Sequence, residues 1–367
     1  MARKLASVVE IASCDPIPET ERLSVAKMVG KGWQVVVGRD EFKPGDKCVY
    51  FEIDSFIDPK DERFAFLSDR CLRKIVSKSG AVLRDGLKIK TIKLRGVVSQ
   101  GLIMPIDKFP EIADANVGDD VTEALNVEHY DEVAEQLRPL TGSAMSGDAM
   151  GPFPSMIPKT DEERIQNLGG WFESMKGRVW QVTQKHDGTS CTIAYSPTID
   201  PENPEIVCSR NQRLKPIDAN GVVPVYWQMA DKYKIIDRLR ELYENSGKHE
   251  EIAIQGEIVG PGINSDHNRE NEHLFYAFRA WRIPEQRFFI PSHLVDLCKT
   301  MGIPHVNVIK EKFGFFDEIT TMEDALAFAD GKTPEGHARE GVVCKTVDDG
   351  PYASFKIVSN KYLLKGE

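Results

Sequence analysis

Between Ser24 and Phe56, apolar and polar residues alternate with a period of two through SVAKMV, WQVVVG and KCVYFEI, and the KPGDK segment before the last of these has turn composition. KIKTIKLRG and SQGLIMPI repeat the pattern further on. A period of two puts successive side chains on opposite faces of a strand, so these segments predict several short strands curled into a small β-barrel. Residues 111–140 are acidic and compatible with helix, while TGSAMSGDAMGPFPSM (141–156) is rich in Gly, Ser, Met and Pro without a period and reads as a linker. Beyond it, strand-like runs alternate with helical stretches such as VYWQMADKYKIIDRLRELYEN, where Ile235, Ile236, Leu239 and Leu242 recur at helical spacing. The expected fold class is α+β: a front barrel over 1–110, an acidic helical segment and linker over 111–151, and an α+β domain over 152–367.

A chain of 367 residues with 41% hydrophobic content suits two compact domains and lacks the bias of a disordered one. The opening MARKLASVVEIASCDPIPE has no apolar run suited to a signal peptide, and no later run approaches the length of a membrane helix, so a cytoplasmic or nuclear location is expected. Cys14, Cys48, Cys71, Cys191, Cys208, Cys298 and Cys344 are odd in number and never form a CxxC pair, which argues against a disulfide framework or a zinc site. His186, His267, His273 and His337 show no HxxxH or HExxH spacing and are expected to be surface or packing residues.

The net charge of −10 conceals an uneven distribution. Residues 1–110 carry 20 Lys plus Arg against 15 Asp plus Glu. From Arg70 to Arg95 nine cations face one acid, Asp85. Within that stretch Arg73, Lys74, Lys78, Lys88, Lys90, Lys93 and Arg95 form a candidate phosphate-tracking surface, set against the plainer reading of a solvated strand-edge charge pattern.

The candidate chemistry centres on Lys185-His186-Asp187-Gly188. A lysine followed two residues later by an acid and then a glycine suits a nucleophilic amine at a strand end, where the acid organises a cation and the glycine allows close backbone approach. To attack phosphorus the amine must lose its proton, and neighbouring lysines with a divalent cation are expected to lower its pKa. Alone, the tetrapeptide is weak evidence, because a solvated lysine before an Asp-Gly turn is written in the same letters. Companions follow in order: Ser209-Arg210-Asn211, the run Gln255–Gly262, Phe275-Tyr276-Ala277-Phe278, the run Glu340–Lys345, and Ser354-Phe355-Lys356.

That ordered series resembles the motifs of the covalent nucleotidyltransferases, the superfamily of DNA ligases, RNA ligases and capping enzymes, over essentially all of residues 152–367. GEIVGPGIN and FYAF are similar to segments of phage-type RNA ligase 2 and RNA-editing ligases. FPSMIPKTDEERIQNL and the front domain resemble Deinococcus-type RNA ligases, and PIPETERLSVAKM with IKTIKLRGVVSQGLIMP resembles a tRNA-binding OB fold. In an OB fold Trp33, Tyr50 or Phe51 would serve as stacking platforms; as plain apolar residues they would be barrel core. The resemblance implies an N-terminal OB-fold β-barrel followed by an α+β nucleotidyltransferase domain of ATP-grasp-like ligase type.

It also implies roles. Lys185 would carry AMP from ATP as a phosphoramide, then pass it to a 5′-phosphate to give an AppN end that a 3′-hydroxyl displaces. Phe278 matches the adenine-stacking aromatic, with a core phenylalanine as the alternative; Arg210 matches a ribose- or end-contacting arginine. Glu257 and Glu340 match two acids of the site, and their place in apolar runs supports a liganded role because an unpaired charge there is costly. Lys345 and Lys356 match cations at the α-phosphate, where phosphoryl transfer builds negative charge. Arg164 is a candidate for the β- and γ-phosphates, or else a helix-surface residue. Mg2+ or Mn2+ is implied, held through water by Asp187, Glu257 and Glu340. One departure stands out: where phage-type ligases keep a second lysine two positions after the match to Lys356, this chain has Val358, leaving Lys361 to reach back or another group to supply the cation. RNA or RNA/DNA hybrid ends and nicks are the implied partners. The competing readings are a non-catalytic RNA-binding protein with a decayed catalytic fold, a DNA ligase, and a GTP-using capping enzyme, which normally carries its OB domain after the catalytic one. Because every catalytic motif follows Met150, a chain starting near residue 148 is expected to form the Lys185 adduct by itself.

Overall fold

The computed structural model describes residues 3–67, 70–141, 147–264, 270–334 and 336–364. In the front part, strands Leu102–Pro105, Lys47–Phe51, Ala6–Pro16, Leu23–Met28 and Gln34–Gly38 form an antiparallel sheet in that spatial order, with the KPGDK turn where the alternation placed it. The hairpin of Thr91–Leu94 and Val97–Gln100 covers its edge: Val36 N–H donates to Ser99 Oγ at 3.0 Å and Gln34 Nε2 to the Val98 carbonyl at 2.8 Å. A second sheet orders Glu128–His129, Ser55–Ile57, Val82–Lys88 and Leu72–Val76. The inward faces bury Trp33, Tyr50 and Phe51 at 0–1% exposure, so these three rings are core and not stacking platforms. Tyr50 and Phe51, successive on one strand, are buried on its two opposite faces, Tyr50 with Trp33 in one core cluster and Phe51 in another, and burying each ring removes more apolar surface from water than exposure to a base would.

The helix expected over 111–140 is confined to Tyr130–Thr141. Upstream, Ile112, Val121, Leu125 and Val127 reach the core cluster of Leu5, Val8 and Phe51 from turns, and this burial overrides the helical composition. Part of the expected linker is a strand, since Ala149–Pro152 pairs with Gln212–Leu214; residues 142–146 lie outside the described residues. The stretch from Val225 splits into helices Val225–Lys232 and Ile235–Asn245 because Lys234 turns left-handed at φ 51°.

The second part holds two antiparallel sheets facing one another. One has seven strands, at whose centre Thr189–Tyr195, Ile252–Val259 and Leu274–Arg282 lie side by side. The other orders Val308–Phe313, Trp180–Lys185, Gly341–Thr346 and Ser354–Val358. Alternation sorts the latter cleanly. Trp180, Val182, Val342, Cys344, Phe355 and Ile357 pack on Phe315 and Phe316, leaving Thr183, Lys185, Val343, Lys345, Lys356 and Val358 on the opposite face.

The two parts are docked. Trp33 Nε1 donates to Asn167 Oδ1 at 2.6 Å, Gly32 N–H to the Gln166 carbonyl at 2.7 Å, and Asn167 Nδ2 to Glu52 Oε2 at 3.2 Å. All seven cysteines are free thiols, five of them buried. Among the described residues no helix is long and apolar enough to cross a membrane.

Candidate active site

A cavity of about 620 Å³ opens between the facing sheets, and the front domain supplies one of its walls. Lys185 ends its strand paired with Gly341, so the strand register brings Glu340 beside it: Lys185 Nζ lies 2.6 Å from Glu340 Oε1. The other Glu340 oxygen is buried without a hydrogen-bond partner. The chain then turns at Gly188, whose N–H donates to Glu257 Oε1 at 3.1 Å; a Cβ there would fall 2.2 Å from the Ile258 carbonyl, which explains the glycine. Asp187 accepts from Tyr362 Oη at 2.5 Å and from Asn264 Nδ2 at 2.8 Å.

Three carboxylates around one amine set the electrostatics. Burial acts to strip the Lys185 proton, but Glu340, Glu257 and Asp187 together hold its pKa above the ordinary lysine value. The groups nearest the amine are acids, so the protein alone does not supply the lowering expected from neighbouring lysines and a divalent cation. Burial pushes Glu257 up to about 8, against the pull of Lys185 and with repulsion from Glu340 and Asp187 adding to the rise; Glu340 is raised likewise. On the facing strands burial takes Lys345 and Lys356 down to about 8. Lys345 donates to the Phe278 carbonyl, with its Nζ 5.4 Å from that residue's ring centroid, and the half-buried ring lines the cavity instead of joining a core cluster.

At the far end Arg210 pairs with Asp161, and Lys356 lies 3.7 Å from the same carboxylate, which is held well below its usual range despite burial. Arg164 is not on a helix surface. It is 8% exposed, its Nη2 stands 3.7 Å from Asp54 of the front domain, and its Nε and Nη1 have no hydrogen-bond partner. Among the described residues, no three His, Cys, Asp or Glu side chains converge closely enough to grip a bare ion. Asp187, Glu257 and Glu340 instead ring the cavity, with an orphaned Glu340 oxygen and a proton-retaining Glu257, a donor set that fits a cation keeping its water shell.

An OB-fold domain model matches residues 5–106 and an RNA ligase model matches residues 178–358. Naegleria gruberi RNA ligase, solved as a variant without ligand, is 33% identical, with 98% of this chain and 97% of that one covered at a TM-score of 0.83. The same enzyme with pyrophosphate, and a variant of it with ATP and manganese, are each 34% identical over 99% of this chain and 98% of theirs, at a TM-score of 0.82. The chain belongs to the RNA ligase family. No curated protein matches it.

Within this ligase the cavity gathers Lys185, Asp187, Glu257, Glu340, Phe278, Lys345, Lys356, Arg210 and Arg164. Lys361 stays outside, 74% exposed and 3.0 Å from Asp330, while Val358 lines the wall as an apolar residue. Lys361 therefore does not reach back. Of the basic stretch, Lys88 is committed to Asp54 at 3.2 Å, and Arg84 pairs with Glu128. Lys74, Lys78, Lys93 and Arg95 are exposed, and Arg73 and Lys90 half-buried, on two separate hairpins. His186 stacks on Tyr276 with ring centroids 4.7 Å apart, and His267 is outside the described residues. Sequence reasoning missed Arg3 and Asp54 of the front domain and His129 and Asp131 of the segment that follows it, which together form that side of the cavity. They lie far from the catalytic motifs and in none of them, so only the docking of the two domains reveals them.

Proposed function

We propose that this RNA ligase joins 3′-hydroxyl and 5′-phosphate RNA ends in three steps with ATP. The neutral Lys185 amine attacks the α-phosphorus; the bond to the bridging oxygen of the β-phosphate breaks, pyrophosphate leaves, and the amine's proton passes to solvent. A 5′-phosphate oxygen then displaces Lys185 from the lysyl-AMP, which regains its proton, to give AppN. The 3′-hydroxyl attacks that phosphate and AMP departs. ATP and manganese enter the proposal through the relatives solved with them.

Phe278 offers a flat face to adenine, and Lys345 and Lys356 stand on the same sheet face as Lys185, facing the α-phosphate. Arg164, with two unspent N–H groups, and Arg210 suit the outer phosphates or the RNA end. Asp187, Glu257 and Glu340 would hold a hydrated divalent cation, which when bound supplies charge neutralisation at the phosphate and weakens the hold of Glu340 on the Lys185 proton. The front domain, over about the first 110 residues, closes the cavity and presents Arg73, Lys74, Lys78, Lys90, Lys93 and Arg95 to the polynucleotide; nicked duplexes with RNA or RNA/DNA hybrid strands are the proposed substrates.

The single observation that carries this reading is the Lys185–Glu340 pair inside a cavity that also holds Phe278 and two lysines of lowered pKa. The test is incubation with α-labelled ATP and Mn2+. An acid-labile protein adduct is expected, lost in Lys185→Ala and not restored in Lys185→Arg, whose guanidinium stays protonated. Labelling of a variant without Lys185 would sink the assignment. Nicked duplexes with each strand switched between RNA and DNA then define the substrate.

A further inference from the structure

Asp187 is held from two sides by residues that have been given no role so far. The helix Asn360–Leu363 brings the Tyr362 hydroxyl to 2.5 Å from Asp187 Oδ2, and Asn264 Nδ2 sits 2.8 Å from Oδ1. Asn264 also donates to the Gly188 carbonyl at 2.6 Å, tying down the turn that follows Lys185. The helix has anchors of its own. Ser359 Oγ caps it by accepting from Tyr362 N–H and donates to Asp330 Oδ1 at 2.6 Å, Lys361 pairs with Asp330, and Asn360 Oδ1 accepts from Gln100 Nε2 of the front domain at 3.1 Å. The helix is thus anchored by several contacts besides the one from the Tyr362 hydroxyl to Asp187.

We propose that Tyr362 is a positioning residue for adenylation: together with Asn264 it fixes the Asp187 carboxylate beside Lys185, ready to accept from the water shell of the divalent cation. This rests on the role given to Asp187 above. A short O–H···O⁻ bond is among the stronger hydrogen bonds, and partners that orient a carboxylate in this way tune the affinity of what the carboxylate holds.

The test uses the full chain with Tyr362→Phe, which deletes one oxygen and keeps the ring. Three quantities are measured: the Tm without metal, the rise in Tm on adding Mn2+ without ATP, and the Mn2+ concentration giving half-maximal Lys185 labelling. The expected result is a metal-free Tm close to wild type, a smaller Mn2+-induced rise, and a half-maximal concentration raised about tenfold. Asn264→Ala should move the same two metal readouts in the same direction. Asp187→Ala separates this inference from the reading beneath it. If Asp187→Ala leaves the Mn2+ shift and the labelling intact, the role of Asp187 is wrong; if it abolishes both while Tyr362→Phe titrates like wild type, only the positioning role falls. A large loss of metal-free Tm with an unchanged Mn2+ titration would likewise overturn it, showing the contact to be structural.

Discussion

A chain beginning at residue 148 retains every catalytic motif, yet the structure predicts that it forms the Lys185 adduct poorly. Truncation removes Arg3, Asp54, His129 and Asp131 from the cavity wall. It also strips Arg164 of its surroundings: Asp54 at 3.7 Å, and the Trp33 ring centroid 5.8 Å from the guanidinium carbon. The neighbouring Asn167 loses both Trp33 and Glu52. An arginine released from such a site regains about 1.5 to 2 kcal/mol of rotamer entropy that must be given up again on binding phosphate. Loss of the Arg3 charge adds about 1.5 to 3 kcal/mol, the scale of a hydrogen bond to a charged group. Together these reach about 3 to 5 kcal/mol, or roughly 200- to 5000-fold in adenylation at limiting ATP. The assay is transfer of label from α-labelled ATP, alongside circular dichroism and thermal unfolding to show that the truncated chain folds. A folded truncated chain that labels at the rate of the full chain, at ATP well below saturation, would refute the argument that the front wall serves the triphosphate.

Phe278→Ala should weaken ATP use by about 1 to 3 kcal/mol, the scale of one base-stacking contact, while the bond from Lys345 to the backbone carbonyl survives the substitution; an unchanged ATP dependence of labelling would restore the packing alternative. Glu257, pushed up to about 8, must shed its proton to engage a cation's water shell. Apparent Mn2+ affinity, read from the Mn2+-induced shift in Tm, should therefore rise with pH between about 6.5 and 8, by up to about tenfold per unit, and Glu257→Gln should flatten that rise. Neutralising Lys74, Lys78, Lys93 and Arg95 should lower the salt dependence of nick binding by about 0.7 to 0.9 in log-log slope per lost contact, whereas Lys88→Ala, which removes one of the cations around Asp54, should act on adenylation instead.

What was legible in the sequence was whatever is local. The period of two marked the strands, and it also explains why Lys345 and Lys356 share a face with Lys185: each sits an even number of positions from residues paired across the same sheet. The Lys185–Gly188 turn is likewise readable, since Gly188 meets the Glu257 strand too closely for a side chain. Composition misled where burial decided. Residues 111–127 look helical by their acids, yet Val121 and Leu125 are drawn into the front core from turns. Trp33, Tyr50 and Phe51 could face a base or the core, and alternation does not reveal that the strand carrying Tyr50 and Phe51 is covered on both faces. The acid beside the Lys185 amine is not legible locally either, because the group nearest it is Glu340, 155 positions away in sequence, and not another lysine.

The Val358 position joins these threads. Phage-type ligases resembled by this chain keep a lysine there, and here the site faces the cavity with an isopropyl group. Other cations stand nearby on the wall. Arg164 lies beside Lys356, to which it is linked by a parallel bridge, and Lys356 N–H donates to the Glu163 carbonyl at 2.8 Å, so the segment before Ile165 is stitched to the strand that carries Val358. Arg164 in turn rests against Asp54, and Asp54 is shared with Arg3 and Lys88, which hold its carboxyl well below its ordinary range in spite of burial. A buried arginine with two unpaired N–H groups is costly unless something anionic completes it. In this chain the cost is borne at the seam between the domains, where Asp54 of the front wall stands beside the Arg164 guanidinium and Arg164 lines the cavity. A lysine restored at Val358 would then enter an already cationic corner, and Val358→Lys should lower the thermal stability of the nucleotide-free protein while ATP recovers part of the loss; a variant as stable as wild type without ATP would show that the corner is not electrostatically full.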